Sequence, residues 1–327
     1  ALCDARPSRP PGGPPSYHAL SGGYLVAAVV ERITGKDLRQ VMQEEVLAPL
    51  GFELCNYGIG ADRRCDVADY VSTGLPLPPP VSALLHAVAV VKAGVFTVLK
   101  ISVYVFGLDL MGTLGAATWM AWAAAATIIL ASLVAFTKDN LKARLAYSTI
   151  SQLSYIVLGA MLANEWGIIG GGMHIAMHAF GKITLFFAAG AVLVAAHETD
   201  ISRMRGLGRT MPFTFGAFFV GSLSIIGLPP AGGSWSKWFL GLGTLEAGQI
   251  GLLATLMVSS LLSLVYLLEV PVRAFFSAPP EDASRPEGIH EAPWTSVAAL
   301  VITALATVAL FFSPGTFYDL MTQVVAR

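Results

Sequence analysis

From residue 81 to residue 313, apolar residues run in long stretches separated by short polar turns, the spacing of helices that cross about 30 Å of hydrocarbon. The pattern predicts spans near 81–106, 114–136, 145–163, 167–196, 211–243, 247–272 and 293–313. The fifth is too long for one plain helix and is interrupted by Gly227-Leu228-Pro229-Pro230-Ala231-Gly232-Gly233. Pro229 and Pro230 lack amide donors and Gly227 can turn the backbone, so the hydrogen-bond ladder breaks at membrane depth. Such a break is tolerated where it faces protein or a wet cavity, and the segment is read as one discontinuous helix. Residues 1–79 follow another rhythm: an amphipathic helix from Tyr24 to Arg32 ends at Thr34-Gly35, and a second runs from Lys36 to about Leu47. The expected fold class is all-α, a polytopic membrane helix bundle of about seven spans with one discontinuous helix, preceded by a small, mainly α soluble fragment.

Composition supports the division. The 327 residues are 55% hydrophobic and 13% charged, too apolar for a soluble globular chain. Sixteen charged residues fall in the first 80 positions and 25 in the 247 that follow, so the two parts suit different solvents. The proline-rich stretch Leu75-Pro76-Leu77-Pro78-Pro79-Pro80 continues neither helix nor sheet and marks a boundary between domains 1–79 and 80–327. A net charge of −1 offers no basic excess for a phosphate backbone, which argues against a nucleic-acid partner. Cys3, Cys55 and Cys65 form no C-x-x-C, so neither a disulfide framework nor a cysteine metal knuckle is expected. The start of the chain lacks the basic and apolar runs of a signal peptide and reads as a disordered or truncated end.

Charge also predicts sidedness. With the broken segment counted once, the 137–144, 198–210 and 273–292 loops share a side with residues 1–80 and carry Lys138, Lys142, Arg144, Arg203, Arg205, Arg209, Arg273 and Arg285. The loops around Leu108–Gly112, Asn164-Glu165 and Glu246–Gln249 carry no lysine or arginine. The basic side is therefore expected to be cytoplasmic, in an inner (plasma) membrane.

Within the spans lie His86, Lys92, Lys100, His174, His178, Lys182, Lys237 and Glu269. Each costs free energy to place in hydrocarbon, so a functional role is the default reading. Lys100 is near a helix end and can extend to the interface, while Glu269 and Arg273 at i, i+4 read as a local pair. His174, His178 and Lys182 share one helix face, climbing about 6 Å per step. Lysine in hydrocarbon and histidine near neutral pH can both release and rebind a proton, so this ladder suits proton transfer; interhelical hydrogen bonding is the alternative for the histidines. Zinc is disfavoured because no carboxylate or cysteine is near in sequence and Lys182 would repel a cation. Lys237 stands just beyond the helix break, where freed backbone groups can solvate an ammonium. Lys92 lies mid-span, with His86 earlier on a different face.

These stretches resemble the proton-translocating antiporter-like family: the D and A subunits of Mrp-type sodium/proton antiporters and the antiporter-like membrane subunits of respiratory complex I. The resemblance runs through Pro80-Val81-Ser82-Ala83-Leu84-Leu85-His86-Ala87 with Lys92-Ala93-Gly94, and Asp139-Asn140-Leu141-Lys142 with Leu145 to Gln152. It continues through His174 to Lys182 with Leu185-Phe186-Phe187, and Gly227-Leu228-Pro229 leading to Ser236-Lys237. It implies a relay of protons between half-channels, with Lys92 or His86 connecting, His178 and Lys182 central, and Lys237 on the exit side. It also implies other antiporter or complex I-like membrane subunits and the lipid bilayer as partners, with protons and sodium or potassium as cargo. No cofactor and no metal are expected, and the chain is expected to be a transporter and not an enzyme. The coupling ion is left open, and a proton-pumping subunit of a complex I-like assembly is the alternative within the class.

Residues 17–74 resemble a different family, the serine β-lactamases and penicillin-recognising esterases, through Tyr17-His18-Ala19, Gly23-Tyr24-Leu25, Val30 to Lys36, and Glu45 to Gly51. Tyr17 matches the tyrosine that helps activate the serine of an upstream S-x-x-K in that family. No S-x-x-K precedes Tyr17, so a fragment without its nucleophile is expected, in place of the further helices with which the antiporter-like family begins. A membrane-anchored β-lactamase-like hydrolase and a nonfunctional chimera are the competing readings.

Overall fold

The computed structural model describes residues 90–325, apart from 114 and 281–287, together with five positions between 32 and 44. The chain divides into two compact units, Ala1–Leu75 and Pro76–Arg327. In the first, Lys36 and Glu44 form an exposed ion pair at 2.6 Å; Tyr17 lies outside the described residues, as does His86 of the second.

The described part of the second unit is helical and contains no named strand. Its helices are α1 (Val90–Ile101, followed by a wide turn at Ser102–Phe106), α2 (Leu108–Thr113), α3 (Gly115–Thr137), α4 (Leu141–Met161), α5 (Glu165–Ala196) and α6 (Leu207–Thr210). They continue as α7 (Pro212–Ile226), α8 (Gly233–Glu246), α9 (Ile250–Phe276), α10 (Trp294–Phe312) and α11 (Gly315–Val325). Helices α3, α5, α9 and α10 are each long and apolar enough to cross a membrane. Helix α4 has comparable length, but Lys142, Arg144 and a stripe of hydroxyl and amide side chains lower its hydropathy. Trp119, Leu130, Leu261 and Ile302 stand exposed on the outside, as lipid solvent requires.

Local chemistry sets the helix ends. The side-chain oxygens of Asn140 and Asn164 accept the amides of Ala143 and Gly167 at 3.1 and 2.9 Å, capping α4 and α5. Glu291 accepts from the amides of Phe213 and Thr214 at the start of α7, satisfying donors that the first turn leaves unpaired. Gly227, at φ +90°, closes α7 with its amide on the Leu223 carbonyl.

The ends of the helices sort into two groups. At one, Leu141 donates to Thr199, Ile201 to Asp139, Gly206 to Arg273 and His290 to Thr210, all backbone to backbone. At the other, Asn164 donates through Nδ2 to the Gly243 carbonyl at 2.7 Å. Helix α7 begins in the first group and α8 ends in the second, so together they traverse the bundle once. Helix α5 is the axis, packed against α1, α4, α7, α8, α10 and α11. Glycines allow the closest approach: a β-carbon on Gly159 of α4 would lie 2.5 Å from the Gly167 carbonyl oxygen of α5.

Two elements depart from the hydropathy pattern. The polar turn after residue 106 holds the short α2, and residues beyond 313 form the amphipathic α11, whose Met321 occupies the space left by Gly172 on α5. Neither has a continuous apolar run, which is why pattern alone passes over them.

Candidate functional site

Helix α5 carries His174, His178 and Lys182 on one face, at four-residue steps, and all three are buried. His174 shares a hydrogen bond with Ser236 of α8 through Nδ1 at 2.8 Å. Its ring stacks on Tyr155 of α4 and on His178, each with centroids 5.6 Å apart. One turn further, Lys182 donates to the Leu145 carbonyl of α4 at 3.0 Å. Among the described residues, neither ring nitrogen of His178 has a hydrogen-bond partner, nor does Nε2 of His174.

Lys237 of α8 reaches back across the helix break. Its Nζ donates to the Ile226 carbonyl and to Ser260 of α9, both at 3.1 Å, and sits 4.8 Å from the centre of the Tyr155 ring. The Ile226 carbonyl belongs to the last turn of α7, where the helix leaves its acceptors unpaired and where a cation is favoured. The ring face of Tyr155 adds a cation–π contact. Gly227 makes this possible, because a β-carbon there would stand 2.7 Å from Cδ of Lys237. Gly232 anchors the loop by donating to the Thr307 carbonyl of α10 at 3.0 Å, and Gly233 packs directly on the Ser224 carbonyl oxygen. The break predicted at Gly227, Pro229 and Pro230 is therefore packed into protein on its Ala231–Gly233 side, while Leu228, Pro229 and Pro230 are exposed.

Lys92 is buried as well, on α1, which packs against both α4 and α5. Lys100, in the last turn of α1, is exposed, as its reading as an interface anchor requires. The structure thus brings buried Lys92, His174, His178 and Lys182, with partly buried Lys237, into one neighbourhood around the α4–α5 seam.

Several residues of this neighbourhood carry no ionisable signal in the sequence. Tyr155 joins Lys237 to His174. Gln152, one turn before it on α4, is wholly buried, and neither its oxygen nor its nitrogen has a partner among the described residues. Ser148, Gln152 and Tyr155 recur at i, i+4, i+7, a polar stripe on a membrane helix whose period is itself the signal. Further along, Ser132, Ser151 and Ser259 meet at 2.9 to 3.4 Å and join α3, α4 and α9. Their mutual distances are those of hydrogen bonds between hydroxyls. Among the described residues no cluster of three or more His, Cys, Asp or Glu could hold a metal ion.

The local pair expected of Glu269 and Arg273 exists at 2.6 Å, but Glu269 also binds Arg144 at 2.5 Å. Arg144 is buried, and it donates to the Tyr266 and Lys138 carbonyls as well. The carboxylate thus joins α9 to α4 at the basic end of the bundle, a contact between residues far apart in sequence that spacing cannot predict.

Comparison with known proteins follows the same helices. Residues 73–263 match the family described as NADH:quinone oxidoreductase/Mrp antiporter, transmembrane. The chain is 42% identical over 168 residues to NADH-quinone oxidoreductase subunit N of Desulforudis audaxviator, covering 51% of this chain and 34% of that protein. It is 30% identical over 259 residues to subunit L of Pseudomonas aeruginosa, covering 78% and 40%. The chain therefore spans well under half the length of these curated relatives. A chain of the Mrp complex from Dietzia shares the fold with a TM-score of 0.67 at 22% identity, over 76% of this chain and 53% of that one. None of these matches carries the hydrolase likeness of residues 1–79, which rests on the sequence resemblance alone. They also correct one expectation: the chain is not set apart from enzymes, because its relatives are named as subunits of an oxidoreductase. On the residues matched, which hold every buried lysine and histidine described above, the chain belongs to the NADH:quinone oxidoreductase/Mrp antiporter transmembrane family.

Proposed function

We propose that this bundle conducts protons through its buried lysines and histidines as part of a multisubunit membrane complex. The observation that carries the reading is the series from the helix break inward: Lys237 on Tyr155, Tyr155 on His174, His174 on His178, and Lys182 one turn beyond. Imidazole can take a proton on one ring nitrogen and release it from the other, so His178, both of whose ring nitrogens are unengaged among the described residues, suits a shuttle between fixed ammonium sites. In this reading Lys92, with His86, connects to the preceding part of the path; His174, His178 and Lys182 form its centre; and Lys237 at the broken helix is the exit-side site.

The finer assignment is coupling to the antiport of a monovalent cation, sodium or potassium, alongside other antiporter-like membrane subunits in a bacterial inner membrane. The basic loops and residues 1–80 would face the cytoplasm. A proton-pumping membrane subunit of a complex I-like oxidoreductase fits equally, and the names of the curated relatives favour it.

The test is proton flux in inside-out membrane vesicles from cells expressing the full-length gene product. Lys182→Ala and Lys237→Ala are each expected to abolish flux while the protein still inserts and assembles. Wild-type flux in both variants would remove the assigned path.

A further inference from the structure

Two contacts fix the register of α4 against α5. Tyr155 stacks on His174, and the Leu145 carbonyl accepts from Lys182. Between these pins, His178 lies one turn from each end on α5, and Gln152 lies one turn from Tyr155 on α4. At 1.5 Å of rise per residue the two sit within about 2 Å of the same height. Leu145, Gln152 and Tyr155 fall on one side of α4, as His174, His178 and Lys182 do on α5. The two side chains that share this level are both buried and both unpartnered among the described residues: the two ring nitrogens of His178 and the oxygen and nitrogen of Gln152.

Four polar atoms left unpaired at one level of a packed seam are costly unless something small and polar satisfies them. A ligand there must both donate and accept, since an amide offers two donors and two lone pairs and a neutral imidazole one of each. Water does both, and two to four partners hold a water in place. We propose that Gln152 is a positioning residue that holds ordered water against His178, completing the proton route between Lys182 and His174. This rests on the proton-conduction reading above. Gln152 does not titrate; it orients the water through which His178 exchanges its proton with the lysine.

Gln152→Leu keeps the volume and removes the amide, and Gln152→Asn restores an amide with a shorter reach. Flux is measured in the same vesicles, in H2O and in D2O, on protein quantified for assembly. Gln152→Leu is expected to slow flux about tenfold or more, Gln152→Asn to recover most of it, and the H2O/D2O rate ratio of Gln152→Leu to rise because proton transfer has become the slow step. A defect in packing alone lowers the number of working molecules, reduces both rates alike and leaves the ratio unchanged; that result overturns the proposal. Wild-type flux in Gln152→Leu overturns it too. With Lys182→Ala measured in parallel, flux lost there but kept in Gln152→Leu refutes only the role of Gln152. Flux kept in Lys182→Ala and Lys237→Ala refutes the conduction reading itself.

Discussion

Lys237 and Ile226 lie eleven residues apart and meet across the helix break, where the lysine Nζ donates to the isoleucine carbonyl at 3.1 Å. The break thus exposes an acceptor and supplies its donor within the same segment. Gly227 governs the contact, since it takes φ +90° and leaves space for the lysine stem. Gly227→Ala is expected to cost about 1–2 kcal/mol of stability through the left-handed backbone alone. It should also push Lys237 off the Ile226 carbonyl and reduce flux toward the level of Lys237→Ala. Thermal denaturation in detergent together with vesicle flux checks both.

The two arginines of Glu269 should separate in a stability measurement. Arg144 is buried and bonded to two carbonyls as well as the carboxylate, so Arg144→Ala, which leaves those two acceptors unpaired while Glu269 keeps Arg273, is expected to destabilise by about 1–3 kcal/mol for each acceptor. Arg273 is 39% exposed, and Arg273→Ala is expected to cost about 0–1 kcal/mol. Equal losses in a denaturation series would contradict this ranking.

The α4–α5 seam should tolerate no added carbon at Gly159. A β-carbon there meets the Gly167 carbonyl oxygen at 2.5 Å and Leu240 at 2.7 Å, and the backbone cannot swing aside as a side chain can. Gly159→Ala is expected to destabilise by about 1–3 kcal/mol. Gly190→Ala, with nothing within 4 Å of the added carbon, serves as the neutral control.

Single cysteines should report the two ends of the bundle. Arg209 is exposed in the group of loops that holds Arg273, and Ala247 is exposed beyond the end of α8. Arg209→Cys is expected to react with an impermeant thiol reagent only from the cytoplasmic side, and Ala247→Cys only from the other. Gly208 is unsuitable for this purpose, since a β-carbon there collides with Phe275. Labelling of both cysteines from one side would contradict the single traverse of α7 and α8.

What the sequence made legible follows from the range of each signal. Gly227 to Gly233 announces the break because proline and glycine act through the local backbone, and His174, His178 and Lys182 announce a face because four-residue spacing is local too. Arg144 finds Glu269 across 125 positions, and Tyr155 gains its role from Lys237 on another helix. Such partnerships come from packing. Gln152 falls between the two cases: its period with Ser148 and Tyr155 is visible, but an uncharged amide draws no notice until its lack of a partner is seen. His86 and Tyr17 lie outside the described residues.

The glycine contact between α4 and α5 sets a tempo. Where Gly159 and Gly167 bring two backbones together, no layer of side chains is left to shear, and the helices cannot slide or roll without parting. Whatever changes between Leu145 and Tyr155 when a charge arrives must then be carried by rings, amides and ammonium groups turning in place. Such turning needs no helix rearrangement, the class of motion that takes microseconds to milliseconds. The seam makes this stretch a fixed frame in which only side chains are left to turn.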